Sequence, residues 1–299
     1  MSSNTKTELI TLRDFLRYAV SRFSATNIYF GHGTTNAFDE AVYLICHTLG
    51  LNSEHLEIFL DAKLLLQERE LVLDILQKRV QNRIPAAYLT HEAWLFDYKF
   101  YVDERTIIPR SFIAELLINS SLEVWFVDNS KIQNVLDLCT GSGCLAIIAA
   151  DIFANAAVDA IDISKNALAV AEKNIKNYAL QNQINLLCGD GFEVLKNQQK
   201  KYDLIICNPP YVDAEAMKNL PAEYRHEPSL ALASGVDGLD FVKKLLQNAK
   251  NYLGEDGILV VEIGHQKEKL LQEFPELNFV WLETQAGNDY VFLLEAKDL

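Results

Sequence analysis

The sequence predicts an α/β fold, a largely parallel sheet with helices on both faces, entered through a small helical region. Three observations carry this reading. From Ile132 onward short apolar runs alternate with helical stretches, before about residue 84 apolar residues recur at helical spacing, and one apolar run empties into a glycine-rich turn directly before a helix.

In the first region Leu12, Phe15, Leu16 and Val20 fall on one helical face, as do Leu71, Leu73, Leu76 and Val80 later on. Residues 1–84 therefore read as a helical domain. The next segment holds Leu95-Phe96, Tyr98, Phe100-Tyr101-Val102 and Ile107-Ile108 before Pro109, an aromatic and β-branched composition that favours strands. Residues 85–108 read as a β-hairpin linking that domain to the α/β domain over 109–299. Within the latter, strands are expected at 135–138, 158–161, 184–187 and 204–207, and three more at 258–263, 279–282 and 290–294. Ser164 suits the N-cap of a helix over 165–180, with Leu168, Ala171, Ile175 and Tyr178 turned toward the sheet.

Composition narrows the function classes. The chain has 299 residues, 49% of them hydrophobic, enough for one large core or two smaller ones. No run reaches the roughly 18 uninterrupted apolar residues of a membrane span, and the start MSSNTKTELI has no apolar stretch of a secretory signal, so the expected compartment is the cytoplasm. Cys46, Cys139, Cys144, Cys188 and Cys207 form no CxxC pair, and the histidines lack HExxH-like spacing; reduced, packed thiols and no structural metal are expected. A formal charge of −14 repels nucleic-acid phosphates and attracts basic proteins, so no duplex-DNA partner is expected.

The chemistry-bearing residues cluster at strand ends. Asp137-Leu138-Cys139-Thr140-Gly141-Ser142-Gly143 closes the first strand, and glycines at 141 and 143 let the backbone approach a ligand. The second strand ends in Asp162, nineteen positions after Gly143, where an acid can accept from ribose hydroxyls. A dinucleotide site expects a third glycine, and position 146 is alanine, a permitted variant; no GK[ST] follows. Asp137 argues against phosphate, because a carboxylate there suits a cationic or amine-bearing ligand such as S-adenosylmethionine. The third strand delivers Asp190, placed to accept from an adenine amino group, and Phe192, placed to lie against the ring. The bland alternative is an ordinary βα turn with solvated aspartates.

The fourth strand ends in Asn208-Pro209-Pro210-Tyr211. Two prolines hold the backbone rigid, so the Pro209 carbonyl and the Asn208 side-chain oxygen can together accept from a planar NH2 group, with Tyr211 stacking on the amide or base that carries it.

The strand, the glycine turn, Asp162 and Asn208-Pro209-Pro210-Tyr211 together resemble the class I methyltransferases that act on planar NH2 groups, which include adenine amino-methyltransferases and the N(5)-glutamine methyltransferases of the HemK/PrmC/PrmB family. Ile108-Pro109-Arg110-Ser111 with Glu115, the run from Glu227-Pro228 to Asp237-Gly238, and Glu262-Ile263-Gly264 with Gln266 are similar to the glutamine branch. Gly31-His32-Gly33-Thr34 with Asp39-Glu40-Ala41, and Glu92-Ala93-Trp94 through Arg105, are similar to its PrmB-type members. This resemblance implies a Rossmann-like class I methyltransferase sheet and S-adenosylmethionine bound by Asp137, Thr140, Gly141, Gly143, Asp162, Asp190, Phe192 and Asn208. It implies Asn208, Pro209, Pro210 and Tyr211 at the reacting nitrogen and substrate recognition by residues 1–84. The implied substrate is a glutamine side chain of ribosomal protein L-three, free or in a ribosome assembly intermediate; the alternatives are a peptide-chain release factor and, more distantly, adenine in nucleic acid. Where the release-factor branch often has an aromatic after the third-strand aspartate, this chain has Gly191. Arg110, Glu115, Glu223, Arg225 and Glu227 fit either functional or structural ion-pair roles.

Overall fold

The computed structural model describes residues 5–126 and 128–299. The chain divides into two compact units, Met1–Ala93 with Pro221–His226, and Trp94–Leu220 with Glu227–Leu299. The return of 221–226 to the first unit is not visible in the sequence.

The first unit carries α1 (Thr5–Glu8), α2 (Leu12–Ala25), α3 (Ala37–Leu49), α4 (Leu56–Phe59), α5 (Leu66–Asn82) and α6 (Ala86–Thr90). Thr11 starts α2 with a capping box, its side chain accepting from the Asp14 N–H while the Asp14 carboxylate accepts from the Thr11 N–H at 2.8 Å. Phe15, Ala19 and Phe23 of α2 pack with Leu44 and Ile45 of α3 and Val72 and Leu76 of α5. Each large apolar side chain so buried contributes about 1.5–3 kcal/mol. The buried stripe of α5 is Val72, Leu73, Leu76 and Val80 with Arg79, whereas Leu71 is 57% exposed, one position off the expected face. Arg79 is buried and donates to Glu40 at 2.6 Å, to Glu223 at 3.3 Å and to the Tyr29 carbonyl at 2.9 Å. This network is what draws 221–226 into the helical unit, since a buried guanidinium must have its donors satisfied.

The linking segment is less strand-like than its composition suggests. Residues 86–90 are helical, and strands occupy only β1 (Ala93–Leu95) and β2 (Tyr98–Phe100), a two-stranded sheet. The second unit continues with α7 (Phe112–Ile118), β3 (Asn134–Leu138), α8 (Cys144–Ile152), β4 (Ala157–Asp162), α9 (Lys165–Asn177), β5 (Ile184–Cys188), β6 (Tyr202–Cys207) and α10 (Ala214–Asn219). It ends with α11 (Asp240–Ala249), β7 (Leu253–Glu262), α12 (Lys267–Glu273), β8 (Val280–Trp281) and β9 (Val291–Glu295). The strands form one sheet in the order β5-β4-β3-β6-β7-β9-β8, parallel through β7 and antiparallel in its last two pairings.

Two details differ from the sequence reading. In α9, Ser164 does cap the helix, but the buried face is Ala167, Val170, Ala171, Asn174 and Ile175; Leu168 and Tyr178 are only half-buried. Asn174 earns its burial by donating to the Ser142 carbonyl at 2.9 Å and accepting from the Tyr101 N–H at 2.7 Å. The expected strand at 279–282 shrinks to Val280–Trp281 at the sheet edge. Among the described residues no helix is long and apolar enough to cross a membrane.

Candidate functional site

The chain leaves β3 for β4 and β5 on one side and returns to β6 on the other, which makes β3 the switch point where the strand order reverses. Open α/β sheets bind ligands there, outside the carboxyl ends of the strands. A cavity of about 280 Å³ lies at that place, its walls including Gly141, Asp162, Asp190, Asn208, Pro210 and Phe241.

The turn after β3 is built from within. Asp137 is buried and accepts from the Thr140 hydroxyl at 2.6 Å and from the Ala146 N–H, in the first turn of α8, at 3.1 Å. Burial pushes its carboxyl up to about 7, against those two donors and with Asp162 nearby adding to the rise. Asp137 and Thr140 therefore brace the turn and do not line the cavity. Gly143 is also behind the wall: with φ 81° and a hypothetical Cβ only 3.2 Å from Ala171 Cβ, it is the position that lets α8 pack against α9. Cys139, which does line the cavity, holds φ 60° without being glycine, a conformation costing about 1–3 kcal/mol that the surrounding sheet must sustain.

Asp162 stands in the cavity wall with one oxygen accepting from Gly141 N–H at 2.9 Å and the other from Ser164 N–H at 2.8 Å. Burial raises its pKa, and the two backbone donors oppose the rise. Gly141 N–H thus donates to a carboxylate and Gly143 N–H to the Thr140 carbonyl, so these two amides do not form an anion-binding nest. Asp190 is half-exposed at the rim, 4.0 Å from Lys244 Nζ.

Phe192 is where sequence reasoning and structure part. It is 9% exposed and stacks on Tyr252 with centroids 4.4 Å apart and planes 3° from parallel, inside the core and away from the cavity. The single 3₁₀ turn over Gly191–Leu195 rotates its ring inward together with Leu195. The aromatic lining the cavity is Phe241 of α11, and a Cβ placed on Gly191 would stand 3.7 Å from its ring. Phe241 escaped the sequence reading because it lies far along the chain in a helix with no motif; only the absence of an aromatic at 191 hinted at a ring from elsewhere.

The Asn-Pro-Pro-Tyr turn follows β6. Asn208 and Pro210 line the cavity, Pro209 between them in the chain is buried, and Tyr211 is half-buried. Asn208 Nδ2 donates to the Arg110 carbonyl at 3.1 Å, and a carbonyl can only accept, so Oδ1 is the atom left for a ligand N–H. Arg110 is itself pinned by Glu227, which accepts from its guanidinium at 2.6 Å and from the Ile108 N–H at 3.0 Å. Of the other charged residues left open in the sequence, two have structural partners: Glu115 accepts from Gln285 N–H at 3.0 Å and Glu223 belongs to the Arg79 network, while Arg225 is exposed.

Comparison with known proteins places the chain in a family. The pattern of the methyltransferase small domain matches residues 115–224. The ribosomal protein uL3 glutamine methyltransferase of Neisseria gonorrhoeae is 52% identical over 100% of this chain and 99% of its own length. The chain belongs to the uL3 glutamine methyltransferase family. The enzyme of the same name from Bordetella pertussis is 51% identical, again over 100% of this chain and 99% of its own. Among solved structures the hMettl16 catalytic domain superposes with a TM-score of 0.51 at 15% identity, over 76% of this chain and 80% of that one, a likeness of fold alone. As a member of this family the chain is a protein-glutamine methyltransferase with the Rossmann-like class I sheet.

Proposed function

We propose that this enzyme uses S-adenosylmethionine to methylate the side-chain amide nitrogen of a glutamine in ribosomal protein uL3, in the cytoplasm. The observation that carries the reading is full-length identity of about half to enzymes named for that reaction, joined to a switch-point cavity whose wall includes Asn208 and Pro210. The residues present fit the cofactor: Asp162, in the wall beside the glycine turn, is an acceptor for ribose hydroxyls and disfavours a pyrophosphate, and Phe241 offers a ring face to adenine. When bound, S-adenosylmethionine supplies an electrophilic methyl group.

The protein's own contribution is positioning. An amide nitrogen is a poor nucleophile because its lone pair is delocalised into the carbonyl. Asn208 Oδ1 and the Pro209 carbonyl accept its two N–H groups, hold the nitrogen in one orientation, and stabilise the positive charge that grows on it, while Tyr211 packs on the amide plane. No general base is required, since the proton becomes acidic only as the new bond forms. The helical unit is assigned substrate recognition, and the charge of −14 favours encounter with a basic protein.

The decisive experiment offers purified uL3, a peptide-chain release factor and RNA in equal amounts with methyl-labelled cofactor, followed by peptide mass analysis. Label on one uL3 glutamine is expected. Label only in the release factor would overturn the partner, and label only in RNA would overturn the glutamine chemistry. For the cofactor pocket, Phe241→Ala should weaken S-adenosylmethionine binding roughly 3- to 10-fold in calorimetry, the worth of one aromatic contact. Unchanged affinity would remove Phe241 from the adenine site.

A further inference from the structure

Glu262, at the end of β7, is buried and has no role among those given to Asn208, Pro209 and Tyr211 in methyl transfer. Its two oxygens hold three groups from two distant segments. One accepts from the Ser111 hydroxyl at 2.7 Å and the Phe112 N–H at 2.9 Å, and the other accepts from the Tyr211 hydroxyl at 3.2 Å. Ser111 is the N-cap of α7, and the residue before it, Arg110, supplies the carbonyl that orients Asn208. One carboxylate therefore ties the segment that sets the Asn208 amide to the ring that ends the Asn-Pro-Pro-Tyr turn.

The next residues hold the same tyrosine from other sides. Gln266 Nε2 donates to the Tyr211 carbonyl at 3.2 Å. Gly264, at φ 55°, leaves the ring its place, because a Cβ there would stand 2.7 Å from Tyr211 Cε2. Burying a carboxylate disfavours its charged form, and the pKa of Glu262 is accordingly raised, with Ser111, Phe112 and Tyr211 opposing the shift. An apolar side chain would fill a buried position at a strand end without that penalty. What it would lose is the pair of acceptors facing opposite ways.

We propose that Glu262 is a positioning residue for methyl transfer, holding the Tyr211 ring and the Arg110–Phe112 segment behind Asn208 in one fixed arrangement. The proposal rests on the roles given to Asn208 and Tyr211 under the functional reading. A purely structural Glu262 would affect folding stability and leave the turnover of folded enzyme unchanged. A positioning Glu262 acts on turnover through Tyr211, so the two effects are coupled.

The test is a double-mutant cycle on the full-length enzyme, with Glu262→Ala, Tyr211→Phe and the pair. It reads kcat and KM for uL3 at saturating cofactor, with cofactor Kd and thermal midpoint beside them. Glu262→Ala should lower kcat roughly 10- to 100-fold, the scale of a misplacement near 1 Å, with cofactor Kd within about twofold. The same change in the Tyr211→Phe background should cost several-fold less. Glu262→Gln should recover most of the rate, since its carbonyl can accept from Ser111 and Phe112 while its NH2 donates to the phenolic oxygen. Equal losses in both backgrounds, or a fall in cofactor affinity matching the loss of kcat, overturn the proposal. Should Glu262→Ala not fold, Glu262→Asp carries the same cycle, because the shorter carboxylate keeps its charge yet cannot reach both sides. Wild-type enzyme that methylates no glutamine would sink the functional reading, whereas equal losses with an active wild type sink this proposal alone.

Discussion

Asn208→Ala should lower turnover by roughly 10²-fold or more while leaving S-adenosylmethionine affinity within a few-fold, because the lost oxygen is a preorganised acceptor whose work falls in the transition state. The geometry makes this more than a loss of contact. Nδ2 is held by the Arg110 carbonyl at 3.1 Å, and Arg110 by the buried Glu227, so Oδ1 meets the substrate already oriented. An alanine would let the target NH2 rotate and would remove the hydrogen bond that ties this turn to the Arg110 carbonyl. Single-turnover label transfer separates this from binding: a rate equal to wild type would refute the assignment, and a cofactor affinity falling in step with the rate would move Asn208 to the cofactor.

Asp162→Ala should weaken S-adenosylmethionine binding by about 1.5–3 kcal/mol, roughly 10- to 150-fold, by removing a charge-assisted acceptor for the ribose hydroxyls. The structure adds a second route to the same loss. Asp162 also accepts from the N–H groups of Gly141 and Ser164, so alanine frees the glycine turn from the start of α9. The thermal midpoint distinguishes the two: an alanine variant that loses affinity while keeping the wild-type midpoint points to ribose recognition. Unchanged affinity in the alanine variant would take Asp162 out of the site, and NAD binding as tight as that of S-adenosylmethionine would undo the cofactor reading itself.

How far the sequence reached differs from residue to residue. Asp162, Asp190, Asn208 and Pro210 were legible because each lies at the end of an apolar run, and in a parallel sheet successive strand ends fall on one edge; all four line the cavity. Asp137, Thr140 and Gly143 were found by the same pattern, yet they brace the turn from behind. A one-dimensional motif marks that a residue is needed there but not whether it faces ligand or core, since that depends on the φ of its neighbours.

The strands of the parallel sheet and the helices after residues 143 and 164, the edge where the chemistry gathers and the planar-NH2 character of the reacting group were determined by the sequence alone, because apolar periodicity and strand-end residues are local properties. Only the tertiary structure decided that Phe241 and not Phe192 lines the cavity, that 221–226 returns to the helical unit through Glu223, and that Glu227 and Glu262 stand behind the acceptor turn. Those choices turn on contacts between residues 50 or more positions apart, or on the rotation of one 3₁₀ turn. A buried carboxylate reads as a surface charge until the donors that satisfy it are brought alongside by the fold.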